Sequence, residues 1–310
     1  MRKGIALFAC TLAALLVAMP AAQGGAAAQG GAAVQRTLYV TAVDERGAYV
    51  TDLSVADLVV REAGADRALV RVEPSRTRLK VGVVVEELLV PDDEVRKGLA
   101  GFIDRVREQG EVALYVAGRR LEKRVDYSTE VIPFARAINA FPASSVYQAN
   151  LVEALMEVSK DQGRIEGRRA VVAVANQTAQ LSNVTADGVI EQMRRARQAF
   201  YAATRIAFDS AGPPTDATSG GRKLALENQV AGLERDRLFS EGTKESGGLH
   251  LSTARLAGLP DVLARIAFDL QNQFAVSYIV PAGTRSDGRV TITPVRRGLT
   301  IRGPNRLPEI

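Results

Sequence analysis

The sequence predicts an α/β protein: a doubly wound, mainly parallel sheet with flanking helices, inserted between terminal β-strands that form a small β-sandwich-like module. Three observations lead there. From Lys80 to Gln271, strand-like apolar runs alternate with segments of helical period, the pattern of a parallel sheet covered by helices. Two runs, Val81–Val85 and Ala170–Ala175, contain no polar residue, as central strands buried on both faces require. The chain before Lys80 and after Phe274 holds only short strand-like runs with turns between them.

The elements follow in order. Thr37–Val43 alternates as a half-buried strand, Asp44–Gly47 is a turn, and Leu58–Glu62 and Ala68–Val72 are further short strands. So few residues cannot bury a core alone, so this unit must pack on another part of the chain. Strand Val81–Val85 leads through a short loop into a helix over Asp93–Glu108, with Val95, Leu99, Phe102, Ile103 and Val106 on one stripe. Glu111–Ala117 is a strand, and the more polar Leu121–Tyr127 an antiparallel edge. Helices are expected around Glu130–Ala140 and Asn150–Lys160. After Ala170–Ala175, Thr185 caps a helix to Gln198, and Phe200–Ile206 is the next strand. Phe208–Gly221 reads as a polar loop, and Leu224–Lys244 as a highly charged helix with one solvated face. Leu249–Ser252 is a short strand and Pro260–Gln271 the last helix. Phe274–Val280, Arg289–Thr293 and Leu299–Arg302 close the chain as strands. The expected division is 1–28 signal peptide, 29–36 flexible lead-in, 37–78 N-terminal β module, 79–273 α/β domain, and 274–310 C-terminal strands packing with the N-terminal module.

The export signal rests on Arg2 and Lys3, the apolar run Ile5–Met19, and Ala-x-Ala options around Ala26–Ala28. That run is shorter than the ~20 residues of a spanning helix. The expected location is therefore extracytoplasmic, with no stable membrane span after signal removal; an uncleaved anchor is the alternative. Cys10, the only cysteine, lies in the signal, which leaves no thiol nucleophile and no cysteine-ligated metal in the mature chain. Net charge is +5, and the pairs Arg119-Arg120, Arg168-Arg169, Arg194-Arg195 and Arg296-Arg297 are scattered without interleaved aromatics. Solvated faces and helix ends account for them better than a nucleic-acid groove does. His250 is the only histidine, and no nucleophile motif accompanies it; no P-loop, G-x-G-x-x-G or H-E-x-x-H is present. A structural histidine is expected, and no enzyme activity.

In an open α/β sheet, ligands bind beyond the carboxyl ends of the strands, which directs attention to Glu86–Val90. The segments TAVDERGAYVTDLSVADLVVRE, LKVGVVVEELLVPDD, GRRAVVAVANQTAQLSNVT and SGGLHLSTARLAGLPDVLARIAFDLQNQFAVSYIVP resemble blocks of the VWFA-related family common in Acidobacteria, with Leu58 in place of the usual Phe. The likeness covers roughly residues 37–302, and it implies a von Willebrand A-like fold. Ligand-binding domains of that type hold a metal through Asp-x-Ser-x-Ser, a Thr and an Asp, oxygen ligands suited to Mg²⁺. The matching positions here are Glu86, Leu88, Val90, Ala149 and Asn176. Leu, Val and Ala cannot coordinate, so the resemblance implies a degenerate site, with no metal and no cofactor.

The expected role is protein–protein interaction or scaffolding, with Glu86, Glu87, Leu88, Leu89, Val90, Asp92, Asn176, Gln177 and Thr178 as partner-binding candidates. Alternatives stand beside several of these. Asp92–Glu94 can instead cap the following helix, Leu88–Val90 can pack inward, and Asn176–Thr178 can be a self-satisfied turn. The competing functions are a weakly cation-dependent adhesion module using Glu86, Asp92 and Asn176 with Mg²⁺ or Ca²⁺, and a hydrolase resting on His250.

Overall fold

The computed structural model describes residues 33–90, 92–141, 150–176, 182–206 and 229–309. The expected signal peptide, the 208–221 loop, Ala149, Gln177 and Thr178 lie outside the described residues.

The N-terminal strands are β1 (Val34–Val43), β2 (Leu58–Glu62), β3 (Ala65–Arg67) and β4 (Leu69–Pro74). The chain then enters β5 (Leu79–Glu86), α1 (Asp93–Val106), β6 (Gly110–Ala117), β7 (Leu121–Ser128), α2 (Val131–Asn139), α3 (Leu151–Gln162), β8 (Arg168–Asn176), α4 (Ala186–Arg195) and β9 (Gln198–Arg205). A helix over 229–246, here α5, has a π-helical turn at Leu238–Gly242. There follow β10 (His250–Thr253), α6 (Leu259–Gln271), β11 (Gln273–Val280), β12 (Val290–Pro294) and β13 (Thr300–Arg302).

The central sheet has six strands in the order β10-β9-β8-β5-β6-β7. All neighbours are parallel except β7, which returns antiparallel to β6 as its polar composition predicts. Side chains of β5 alternate between two apolar layers. Val81, Val83 and Val85 face α1, α2 and α6, while Val84 faces α3, α4 and α5. This mixed α/β architecture, with helices on both faces of a mostly parallel sheet, is consistent with the von Willebrand A-like fold.

Both chain ends join two further sheets, β13-β1-β11-β4 and β12-β2-β3. β1 pairs antiparallel with β11 from Val34↔Val280 to Thr41↔Gln273, closing a long sequence separation. The two sheets share one apolar cluster that includes Val40, Leu58, Val60, Val276 and Tyr278. Inside it lies a charged group: Glu62 is fully buried and receives a charge-assisted hydrogen bond from Arg36 and one of 2.6 Å from the Tyr278 hydroxyl. Burial, and then the Glu62 carboxylate, push the Tyr278 phenol upward in pKa. Tyr278→Phe removes a donor from a buried carboxylate and is expected to cost about 1–3 kcal/mol. A urea midpoint shift at unchanged slope would measure it, and a shift within error would mean that Arg36 alone satisfies Glu62.

Three local expectations need correction. The strand expected at Ala68–Val72 is β4, but a short strand absent from the expectation precedes it: the positive-φ pair Ala63-Gly64 turns β2 into β3, and the chain then crosses to pair β4 with β11. Gly110 does more than end a helix. It starts β6, where an added Cβ would sit 2.2 Å from the Leu79 carbonyl oxygen, so only glycine lets the two backbones approach. The helix from Thr185 ends at Arg195, because Arg197 adopts a left-handed φ of 48° and Gln198 already belongs to β9. Helical period cannot reveal that stop, since arginine is an unusual residue for a left-handed cap.

Candidate functional site

Strand order reverses at β5, with β6 on one side and β8 on the other, so the switch-point crevice lies beyond Glu86 and Asn176. Glu86 ends β5 and is fully buried. Its Oε2 accepts from the Asn176 backbone N–H at 2.6 Å and from Arg235 Nη2 at 3.2 Å. The same Arg235 nitrogen donates to the Asn176 carbonyl oxygen. Asn176 Oδ1 in turn accepts from Arg205 Nε at 2.8 Å. Arg235 is only 2% exposed and its guanidinium lies 5.4 Å from the Phe239 ring centre, within cation–π reach. A positive group supplied by the chain therefore occupies the place between β5 and β8 where Glu86 and Asn176 converge.

Arg235 comes from α5, which is tied to the start of α4. Glu234 accepts from the Ala186 N–H at 2.8 Å, and Arg237 pairs with Asp187 at 2.7 Å. On α5, Ala231, Arg235, Leu238, Phe239, Gly242 and Thr243 form the buried stripe. One face of α5 is solvated, as expected, and Arg235 is the charged residue that stands on the buried face. A signal was available: Arg235 stands four residues after Ala231 and four before Phe239, on the apolar stripe.

The partner-binding candidates separate into groups. Glu86, Leu89, Val90 and Asn176 are buried. Leu89 and Val90 join the cluster under α1 and α6, which is the inward-packing alternative, and Glu86 and Asn176 are engaged with each other and with Arg235. The cause is a 3₁₀ turn at Glu87–Leu89, which folds the apolar run inward instead of leaving it as a loop. Glu87 and Leu88 keep partial exposure. Asp92 caps α1, its Oδ1 accepting from the N–H groups of Glu94 at 2.8 Å and Val95 at 3.4 Å, which is the capping alternative. Among the described residues no group of three or more His, Cys, Asp or Glu side chains is placed to hold a metal ion.

His250 lies on β10 with Nε2 2.8 Å from the hydroxyl of Thr204, whose side chain is fully buried. Its ring packs 5.5 Å from Phe239, and burial lowers its pKa. A hydroxyl with no solvent access cannot meet a substrate, so this pair is a packing contact.

No family model matches this chain, and no curated protein sequence does. Several solved structures are similar in backbone. An aerotolerance-related membrane protein of Bacteroides fragilis has a TM-score of 0.39 at 10% identity, over 61% of this chain and 98% of its own. The conserved protein BatB of Bacteroides thetaiotaomicron has 0.41 at 11%, over 61% and 99%. Proximal thread matrix protein 1 of the mussel byssus, with a zinc-occupied MIDAS motif, has 0.45 at 12%, over 68% and 49%. Likeness at this level concerns backbone shape alone, and the crevice has to be read from the residues of this chain.

Proposed function

We propose that the protein is an exported, non-enzymatic interaction or scaffold protein of the VWFA-related type, whose crevice does without a metal. The observation that carries this reading is the Glu86–Arg235 pair at the strand-order switch. In it a guanidinium fixed to α5 stands beside the carboxylate that a cation would otherwise need. Arginine suits such a place, because its charge persists at all ordinary pH values and its fork can bridge a carboxylate and a carbonyl at once. The positions matching the family's hydroxyl ligands, Leu88 and Val90, supply no oxygen. The partner is another protein rather than nucleic acid or membrane, reached from the rim left partly exposed, Glu87 and Leu88, and from Gln177 and Thr178. Location is extracytoplasmic after signal cleavage. The terminal strands, 37–78 with 274–310, act as a supporting β module for the 79–273 domain.

Calorimetric titration of the purified chain with Mg²⁺ and Ca²⁺ tests the reading. No saturable heat is expected up to about 1 mM, the range of weak extracellular cation sites. A sub-millimolar isotherm that disappears in Glu86→Ala would replace it with the cation-dependent adhesion module.

A further inference from the structure

A cavity of about 250 Å³ lies at the opposite, amino end of the parallel strands, where β1 from the terminal sheet meets β8, β9 and the ends of α4 and α5. Its charge is unbalanced. Arg36, Arg168, Arg169, Arg194, Arg197 and Arg306 line it, against a single acid, Glu245. Arg36 is paired with Glu62 and Arg194 with Glu191, which leaves four arginines facing one carboxylate. Arg168 is the informative one. It is 2% exposed, yet no carboxylate lies within ion-pair distance of it among the described residues. Nη2 donates to the Leu270 carbonyl at 3.1 Å, and the guanidinium lies 5.6 Å from the Tyr39 ring centre. Nε and Nη1 are buried without a hydrogen-bond partner among the described residues.

A buried guanidinium with unused donors is costly, and buried charges are ordinarily paired. Burial accordingly lowers the pKa of Arg168, which means that its charged form is disfavoured where it stands. The neighbouring Arg169 also has a buried Nε without a partner. The remainder of the wall includes Leu38, Ile190, Met193 and Leu307, so the cavity is cationic on one side and apolar on the other.

We infer that this cavity is a binding site for a small organic oxyanion, a carboxylate or phosphate head held by Arg168 with a short apolar tail against Ile190 and Met193. Its volume lies just under the ~300–1,000 Å³ of common small-molecule pockets, which limits the ligand to a few heavy atoms beyond the head group. Arg197 and Arg306 would form the entrance: Arg197 is exposed and Arg306 half-buried. The site is unrelated to the crevice at Glu86 and stands or falls separately from it.

Titrating the full chain with hexanoate, inorganic phosphate and hexanol tests the assignment. Hexanoate is expected to bind with a dissociation constant at or below about 1 mM and to raise the thermal midpoint. Arg168→Met should weaken it about tenfold or more, the scale of a lost charge-assisted hydrogen bond. Should Arg168→Met fail to fold, the rim variant Arg197→Ala/Arg306→Ala should still weaken hexanoate about threefold. Hexanol binding as well as hexanoate would overturn the oxyanion assignment, and phosphate binding as well as hexanoate would overturn the apolar tail. Absence of saturable heat with all three probes, or hexanoate binding indifferent to every arginine change, would overturn the site.

Discussion

Arg235→Met is expected to destabilise the protein by about 3–5 kcal/mol, the usual cost of removing one partner from a buried ion pair. Glu86 is fully buried and takes a hydrogen bond from this guanidinium, and Met has a similar reach without the charge. The loss extends past one contact, because Arg235 also donates to the carbonyl of Asn176 and thereby joins β5, β8 and α5. A buried pair need not stabilise a protein relative to an apolar replacement of the same volume. The double variant Glu86→Leu/Arg235→Met should therefore recover most of the loss, and the coupling between the two sites measures the pair. Urea unfolding of the four proteins in the cycle gives that number. A single-variant cost under about 1 kcal/mol, the level of a surface ion pair, would show that the crevice does not depend on Arg235.

The second large effect is expected at Asp269 on α6. Its fully buried carboxylate accepts from Tyr201 at 2.8 Å, Tyr49 at 3.2 Å and Thr41 at 3.4 Å, and pairs with Arg302. These donors come from β9, from the turn after β1, from β1 itself and from β13, so one carboxylate binds the α/β domain to the terminal strands. Asp269→Ala leaves buried hydroxyls without an acceptor and should cost about 3–5 kcal/mol. The residue also has a pH signature. Burial is the largest influence and raises its pKa above 3.8, against the lowering effect of Arg302 and the hydroxyls. The native state therefore keeps a proton that the unfolded chain has already released. In the pH range from 3.8 up to the raised native value, stability contributed by that proton is lost as pH rises; below 3.8 it is fully present. Unfolding free energies across that range should fall with increasing pH in the wild type relative to Asp269→Ala. Parallel profiles for the two proteins would mean that Asp269 titrates alike folded and unfolded.

Much of the architecture is legible in local patterns. The unbroken apolar runs at Val81–Val85 and Ala170–Ala175 identify the central strands, because only a strand covered on both faces tolerates such composition. The polar Leu121–Tyr127 run identifies the edge, and the i, i+4, i+7 spacing from Val95 to Val106 identifies α1 and its buried face. The limits of local pattern show at Leu89 and Val90, whose inward fold depends on a short 3₁₀ turn, and at Ala63-Gly64, where a turn adds the short strand β3 that no apolar run announces.

By itself, then, the sequence determined the central sheet and its helices, since periodicity is a local property. Tertiary structure alone decided what stands in the crevice and what collects at the other end of the sheet. Arg235 meets Glu86 across a separation of 149 residues, and Arg168 meets Leu270 across 102. On the chain, both are arginines in charged stretches, with nothing to separate them from their solvated neighbours except one stripe position on α5. Burial gave them different fates: the first became a partnered internal cation, and the second stands in the wall of a cavity with two donors unpartnered among the described residues.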